Sequence, residues 1–196
     1  MQSRRLPLRF YRRPVREVCR DLLGRTLCRR LPRGRVLRGR IVEVEAYDGF
    51  EDRASHASRG RTERNAPMFE VGGIAYVYLV YGVHHCLNIV TGEAGYPAAI
   101  LFRATESPLA GISASGPGRL TKVFQVDRRQ NGLSLAGREL WLEEGRPVAN
   151  GRVRRTPRIG VDYAGSCAQR LFRYVIADHP SLSGPRRLNR EAATSL

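Results

Sequence analysis

Apolar side chains first recur at helical spacing in PVREVCRDLLG, residues 14–24. Val15, Val18, Cys19, Leu22 and Leu23 share one face there, and Gly24 supplies a C-cap. The next stretch, TLCRRLPRGRVLRGRIVEVEAY (26–47), reads as two strands joined by a Pro/Gly turn. In the second of them Val42, Val44 and Ala46 point one way, and Glu43, Glu45 and Tyr47 the other. Residues 48–73 are polar and Gly-rich and predict an irregular loop with a single helical turn. IAYVYLVYG and VHHCLNIV then predict a hairpin that turns near Gly82, with Tyr81 at its tip. AAILFRA (98–104) is a strand, apolar until Arg103, and GPGRLTKVFQV (116–126) is a Gly-rich loop opening a helix. ELWLEEG (139–145), RIGV (158–161) and FRYVIA (172–177) predict further strand segments. The sum is one compact α+β domain, residues 1–182, built on a mainly antiparallel sheet flanked by helices. SGPRRLNREAATSL, from Ser183 to the end, has few large apolar groups and predicts a mobile basic tail.

Composition narrows the class. The 196 residues carry 34 Lys and Arg against 18 Asp and Glu, a formal net charge of +16. Lys122 is the sole lysine. A GC-rich genome accounts for Arg in place of Lys but not for the shortage of acids. The surplus points to a polyanionic partner, nucleic acid before membrane, and to a monomer, because like-charged copies repel. MQSRRLPLRFYRR, residues 1–13, lacks the apolar core of a secretion signal; it reads as a basic arm along DNA or as a transit peptide. Cys19, Cys28, Cys86 and Cys167 lack Cys-x-x-Cys spacing, which argues against zinc and against a disulfide scaffold. Four buried thiols fit a reducing compartment: cytoplasm or nucleoid in a bacterium, nucleus or organelle in a eukaryote. No apolar run is long enough to span a membrane.

Three features carry candidate chemistry. Glu43 and Glu45 at i and i+2 form either a solvated polar face or an acid–base pair. Tyr47 on the same face and His56 in the loop beyond favour the second reading, since a carboxylate beside aromatic surface loses water. Tyr76, Tyr78 and Tyr81, followed by His84, His85 and Asn88, place flat rings among cations. That is what base stacking needs, and Tyr81 beside a Gly turn offers a wedge. The adjacent histidines point to opposite faces and read as structural or DNA-facing rather than as ligands. GPGR at 116–119 is either a phosphate-binding helix start or an ordinary turn.

These residues bring a resemblance. GRIVEVEAYDGFEDRASH (39–56) resembles the active-site stretch of the alkyladenine (3-methyladenine) DNA glycosylase family, and YVYLVYGVHHCLNIV (76–90) its intercalating hairpin. ILFRATE (100–106), GPGRL (116–120), NGLSL (131–135), LWLEEG (140–145) and RIGVDYAG (158–165) follow in the family's order. The resemblance covers residues 8–177. It implies a curved sheet with a protruding hairpin that inserts into DNA. By position, Glu45 matches the general base, while Arg103 and the Ile159 carbonyl match groups that hold the attacking water. Tyr47, His56 and Tyr78 match the walls around the flipped base. Asn88 matches the residue that restricts guanines, and Tyr81 the side chain pushed into the duplex. Arg119 stands where a DNA-contacting Lys is common. Glu43 has no catalytic counterpart and is left structural. The segment LAGISAS (109–115) is shorter than in the family, LTKVF replaces a Leu-Cys-Gln-Ala run, and RLFRYV lacks the usual Pro.

The implied activity is base-excision repair of double-stranded DNA. A damaged, alkylated purine is flipped out and its N-glycosidic bond hydrolysed without metal or organic cofactor. With Lys122 placed in a helix away from Glu45, no lysine amine attacks the sugar, so the enzyme is monofunctional. Two other readings remain: a catalytically silent nucleic-acid binder, and a metal-dependent nuclease using Glu43, Glu45 and His56. Excision in EDTA separates the three.

Overall fold

The structure is a computed structural model that describes residues 4–190. The pattern of residues 14–24 folds into α1, Val15–Leu22, with Val15, Val18, Cys19 and Leu22 buried. Gly24 follows with φ +84°, where a Cβ would lie 2.1 Å from the Arg146 carbonyl oxygen, so glycine is required there. The strands are β1 Thr26–Arg30, β2 Val36–Asp48, β3 Ala75–Val80, β4 His84–Val90, β5 Ala98–Thr105, β6 Leu140–Glu143, β7 Val153–Thr156 and β8 Arg173–Ile176. They form one curled sheet in the order β3-β4-β5-β2-β1-β6; β8 pairs with β2 and β7 with β8. Every registered pair among the described residues is antiparallel.

β2 organises the molecule. At thirteen residues it is long enough to pair with β1 through Val36–Arg40 and with β8 through Glu43–Glu45. Its other edge pairs with β5, and the register slips on either side of Glu43. Val42, Val44 and Ala46 face the main core, with Phe102 and Ala104 of β5, Leu22 of α1, and Leu120 and Phe124 of α2 (Pro117–Phe124). The opposite face of the strand holds the polar residues.

Two expectations are corrected, the RIGV strand and the mobile tail. RIGV is not a strand: β7 ends at Thr156, Pro157 cannot donate to a ladder, and Gly160 turns with φ +77°. The strand lies just upstream in Val153–Thr156, too basic to read as one. Within the described part of the N-terminal arm, Leu6 donates its amide to the Leu142 carbonyl, and Leu6 and Tyr11 are buried in the core. That stretch is packed on the body by its apolar residues, with Arg4, Arg5, Arg9 and Arg12 exposed along it. The tail is docked where it is described: Ser183 is buried, and α3, Arg186–Arg190, brings Asn189 onto Arg173. Residues 191–196 of the expected tail, and residues 1–3 of the arm, lie outside the described residues. The four cysteines are free and buried. No helix among the described residues is long and apolar enough to cross a membrane.

Candidate active site

Strand register builds the site. Reading across the sheet, Tyr76 of β3 is opposite Asn88 of β4, Asn88 is opposite Leu101 of β5, and Leu101 is opposite Glu45 of β2. Directly paired residues share a face. One row across four strands therefore links the aromatic hairpin to the carboxylate strand, on the side away from the main core. Tyr78 lies two residues from Tyr76, and Tyr47 two from Glu45, so all four project to that side.

The face carries a hollow lined by Tyr47, His56, Tyr76, Tyr78, Asn88 and Tyr163, together with Ala54, Met68 and Ala99. His56 and Tyr78 meet edge-to-face at 4.5 Å, so they form one continuous wall rather than two facing ones. Tyr76 extends it, its hydroxyl 3.0 Å from His56 Nδ1. Tyr47 supplies the other wall. The Arg158 guanidinium covers its ring at 4.8 Å. Burial pushes the Tyr47 and Tyr78 hydroxyls well above their usual range and Tyr76 to about 12, so all three rings stay neutral. Desolvation, with Arg64 nearby, lowers the His56 pKa, which favours a neutral imidazole. A neutral aromatic box suits a flat, cationic ligand.

Behind the Tyr47 wall, Glu45 and Glu43 are both fully buried, which overturns the solvated-face reading of the pair. Three donors converge on Glu45: the Ile159 backbone N–H at 2.8 Å, the Tyr47 hydroxyl at 3.2 Å and Arg103 Nη1 at 3.2 Å. Ile159 thus meets Glu45 through its amide. Glu43 is fully engaged elsewhere. Its Oε1 accepts from Arg173 Nε at 2.7 Å, Ser183 Oγ at 2.8 Å and Arg103 Nε at 3.0 Å; Oε2 accepts from the Ser183 amide at 2.6 Å. Burial works to raise its pKa, but the Arg173 and Arg103 charges outweigh that and hold it low. A carboxylate buried between two guanidiniums and held by four donors is poorly placed to ligate a metal, which weighs against the nuclease reading.

Two irregular segments frame the hollow. The loop after β2 carries Ala54 and His56, and the segment after β7 carries Ile159 and Tyr163. A buried bidentate pair locks them together: Arg158 Nη1 and Nη2 reach Asp52 at 2.5 and 2.7 Å. Arg158 also donates to the Ala46 and Cys167 carbonyls. Asp52 in turn accepts the Asp48 and Ala54 amides.

The hairpin tip is placed as the sequence predicts. Val83 donates to the Val80 carbonyl, and Tyr81 and Gly82 have φ of +50° and +69°. Positive φ at both central positions matches the right-handed strand twist, but it strains a tyrosine. Tyr81 nevertheless stands 93% exposed. Arg119 is exposed in the first turn of α2 and donates to the Ser115 carbonyl. Gly118 beside it lets α2 approach β4, since a Cβ there would lie 3.1 Å from His84.

Of the expected residues, Tyr47, His56, Tyr78 and Asn88 line the hollow; Glu45 is buried and not among the lining residues, joined to them by the Tyr47 hydroxyl and bonded to Arg103 and Ile159; Tyr81 and Arg119 lie apart on the surface. Sequence reasoning gave no role to Tyr163, Arg158, Asp52, Arg173 or Ser183. Tyr76, grouped with Tyr78 and Tyr81 as a stacking ring but given no place in the pocket by the resemblance, lines the hollow. Tyr163, 73% exposed at the rim, lies within the RIGVDYAG motif.

The family model described as methylpurine-DNA glycosylase (MPG) matches residues 9–180. Curated relatives named "Putative 3-methyladenine DNA glycosylase" include one from Methanocella arvoryzae, 48% identical, with 91% of this chain and 95% of the relative covered. Another, from Myxococcus xanthus, is 47% identical, with 92% and 94% covered. A third, from Herpetosiphon aurantiacus, is 40% identical, with 97% and 94% covered.

Proposed function

Because the chain belongs to the methylpurine-DNA glycosylase family, we propose that it flips alkylated purines out of duplex DNA and hydrolyses their N-glycosidic bonds. The coarse activity, a DNA glycosylase acting on DNA, follows from the family. The observation that carries the finer reading is a buried carboxylate, Glu45, held by three donors on the same sheet face as a neutral aromatic hollow.

The purine stacks between Tyr47 and the wall of Tyr78 and His56. A positively charged alkylated ring gains about 0.5–2 kcal/mol from each electron-rich face. It is already a good leaving group. Glu45 takes a proton from water as the water oxygen bonds to the sugar's C1′. The C1′–N bond breaks and its electron pair leaves with the purine, neutralising it. The Glu45 charge also stabilises the oxocarbenium character that develops at C1′. With bulk water excluded, that charge acts at low effective dielectric. Lys122, exposed on α2, has no part in this, so the strand is left intact.

Duplexes carrying single defined lesions test the reading. Release of free 3-methyladenine or another alkylated purine supports it; tight lesion binding with no base released favours the silent binder.

Three outcomes follow from the grip, the tip and the pocket. The +16 charge favours counterion release as the source of affinity. About 6–10 phosphate contacts lose roughly 10³–10⁵ in affinity between about 50 and 200 mM salt. A filter-binding salt titration reads this, and a flat plot contradicts an electrostatic grip. Tyr81→Ala lowers excision from duplex about 5–150-fold, taking about 1–3 kcal/mol for a lost base stack. The same lesion in single-stranded DNA loses much less, and equal losses on both substrates contradict the wedge.

Asn88 is buried, and its amide donates to the Tyr76 carbonyl at 3.1 Å, which fixes the side chain in the lining of the hollow. Asn88→Ser makes room for a 2-amino group and raises excision of 2-amino purines about tenfold relative to their des-amino analogues. An unchanged ratio moves the discrimination elsewhere.

A further inference from the structure

Glu43 sits two residues from the proposed base with four hydrogen bonds of its own. We propose that Glu43, held by Ser183 and Arg173, is a positioning residue that aims Arg103 at Glu45. The inference rests on the reading of Glu45 as the general base.

A guanidinium is a planar fork, and left to itself with a carboxylate it closes a bidentate pair. Here its Nε is taken by Glu43 Oε1 at 3.0 Å and Ser183 Oγ at 3.1 Å. Only Nη1 is recorded on Glu45, at 3.2 Å to Oε2. Glu43 thus turns the fork sideways. Glu45 receives one arm of Arg103 rather than two, and its other oxygen is left to the Ile159 amide. A bidentate Arg103 would occupy both oxygens and spend its whole charge on the group that must accept a proton.

Glu43 is itself held from two sides. Arg173, on β8, reaches it at 2.7 Å and is braced by Thr156 Oγ1, the Ser183 carbonyl and Asn189 Oδ1. Ser183 clamps both oxygens with its amide and hydroxyl. The next residue touches the other side of the site: a Cβ on Gly184 would lie 2.4 Å from Ile159 Cδ1. Ser183 and Gly184 therefore abut both the Glu43–Arg103 contact and the residue whose amide holds Glu45. They lie beyond residue 180, where the family match ends. The cluster comprises two carboxylates and two guanidiniums, buried with their charges balanced. Such a cluster is expensive to desolvate and a weak source of stability, so its value lies in fixing one arrangement.

The test measures lesion-duplex affinity and single-turnover excision separately. Glu43→Gln keeps an acceptor for Arg103 and removes the charge that holds it. The expected result is wild-type affinity with a single-turnover rate lowered about 10–100-fold, the cost of a misplaced catalytic contact. Ser183→Ala, a milder change that keeps the charge pair, shows the same split to a smaller degree and serves if Glu43→Gln does not fold. Loss of affinity and rate together, in step with a lowered melting temperature, overturns the proposal. Glu45→Gln run alongside separates the failures. If it is inactive, a folded Glu43→Gln enzyme of wild-type rate overturns the positioning role alone. If it is active, the base assignment falls and the positioning role falls with it.

Discussion

Replacing Glu45 by glutamine leaves lesion binding unchanged and lowers excision by about 10²–10⁴-fold, the range that general-base removal commands. The amide keeps the shape, and its oxygen in the place of Oε2 still accepts from Arg103 and Tyr47, while its NH2 faces the Ile159 amide and loses that one bond, so the aromatic walls of the hollow are retained. It cannot take the proton of water, and it brings no negative charge to the developing oxocarbenium ion. Binding and chemistry therefore separate in this variant, as seen in equilibrium binding beside single-turnover base release. Near wild-type excision excludes Glu45 as the base. Glu43 is not the natural substitute, because four donors already occupy its carboxylate.

Asp52→Ala destabilises the fold by about 3–5 kcal/mol, because it leaves the Arg158 guanidinium buried without its counter-charge. For a chain of this length that is roughly 6–20 °C in melting temperature. Both side chains of the pair are fully buried, so salt does not screen it and the loss persists at high ionic strength. The effect is also local. The pair fastens the His56 loop to the Ile159–Tyr163 segment, so excision falls at temperatures where the variant is still folded. The surface pair Arg61–Glu70, 3.9 Å apart and exposed on both sides, serves as the control. Glu70→Gln leaves the melting temperature nearly unchanged. Calorimetry reads both, and equal small shifts contradict the clamp.

The parts of this molecule that obey a simple period were legible in its sequence. The alternation in β2 separated Val42, Val44 and Ala46 from Glu43, Glu45 and Tyr47, and the structure keeps that division. The hairpin and its exposed tyrosine followed from Gly82 between two apolar runs. His56 sits on an irregular loop where no period operates; its residue type drew notice beside Glu45 and Tyr47, but only the motif resemblance gave it a place in the pocket wall. The polar clusters were hidden for a different reason. Ser183 and Arg173 are bound by hydrogen bonds to a buried carboxylate and Asn189 to both of them, and hydropathy sees such residues only as solvent-loving. That is why the chain after Ser183 read as a mobile tail. Arg158 shows the same blindness: in RIGV it broke no pattern, yet it is buried and paired with Asp52.

The most direct test of the account is product analysis on a duplex bearing a single alkylated purine, incubated with the protein in EDTA. The account predicts stoichiometric free base, strands that stay intact until alkali cleaves the abasic site, and no adduct trapped by borohydride. Strand breaks without alkali, or a trapped adduct lost in Lys122→Ala, would contradict hydrolysis by water activated at Glu45.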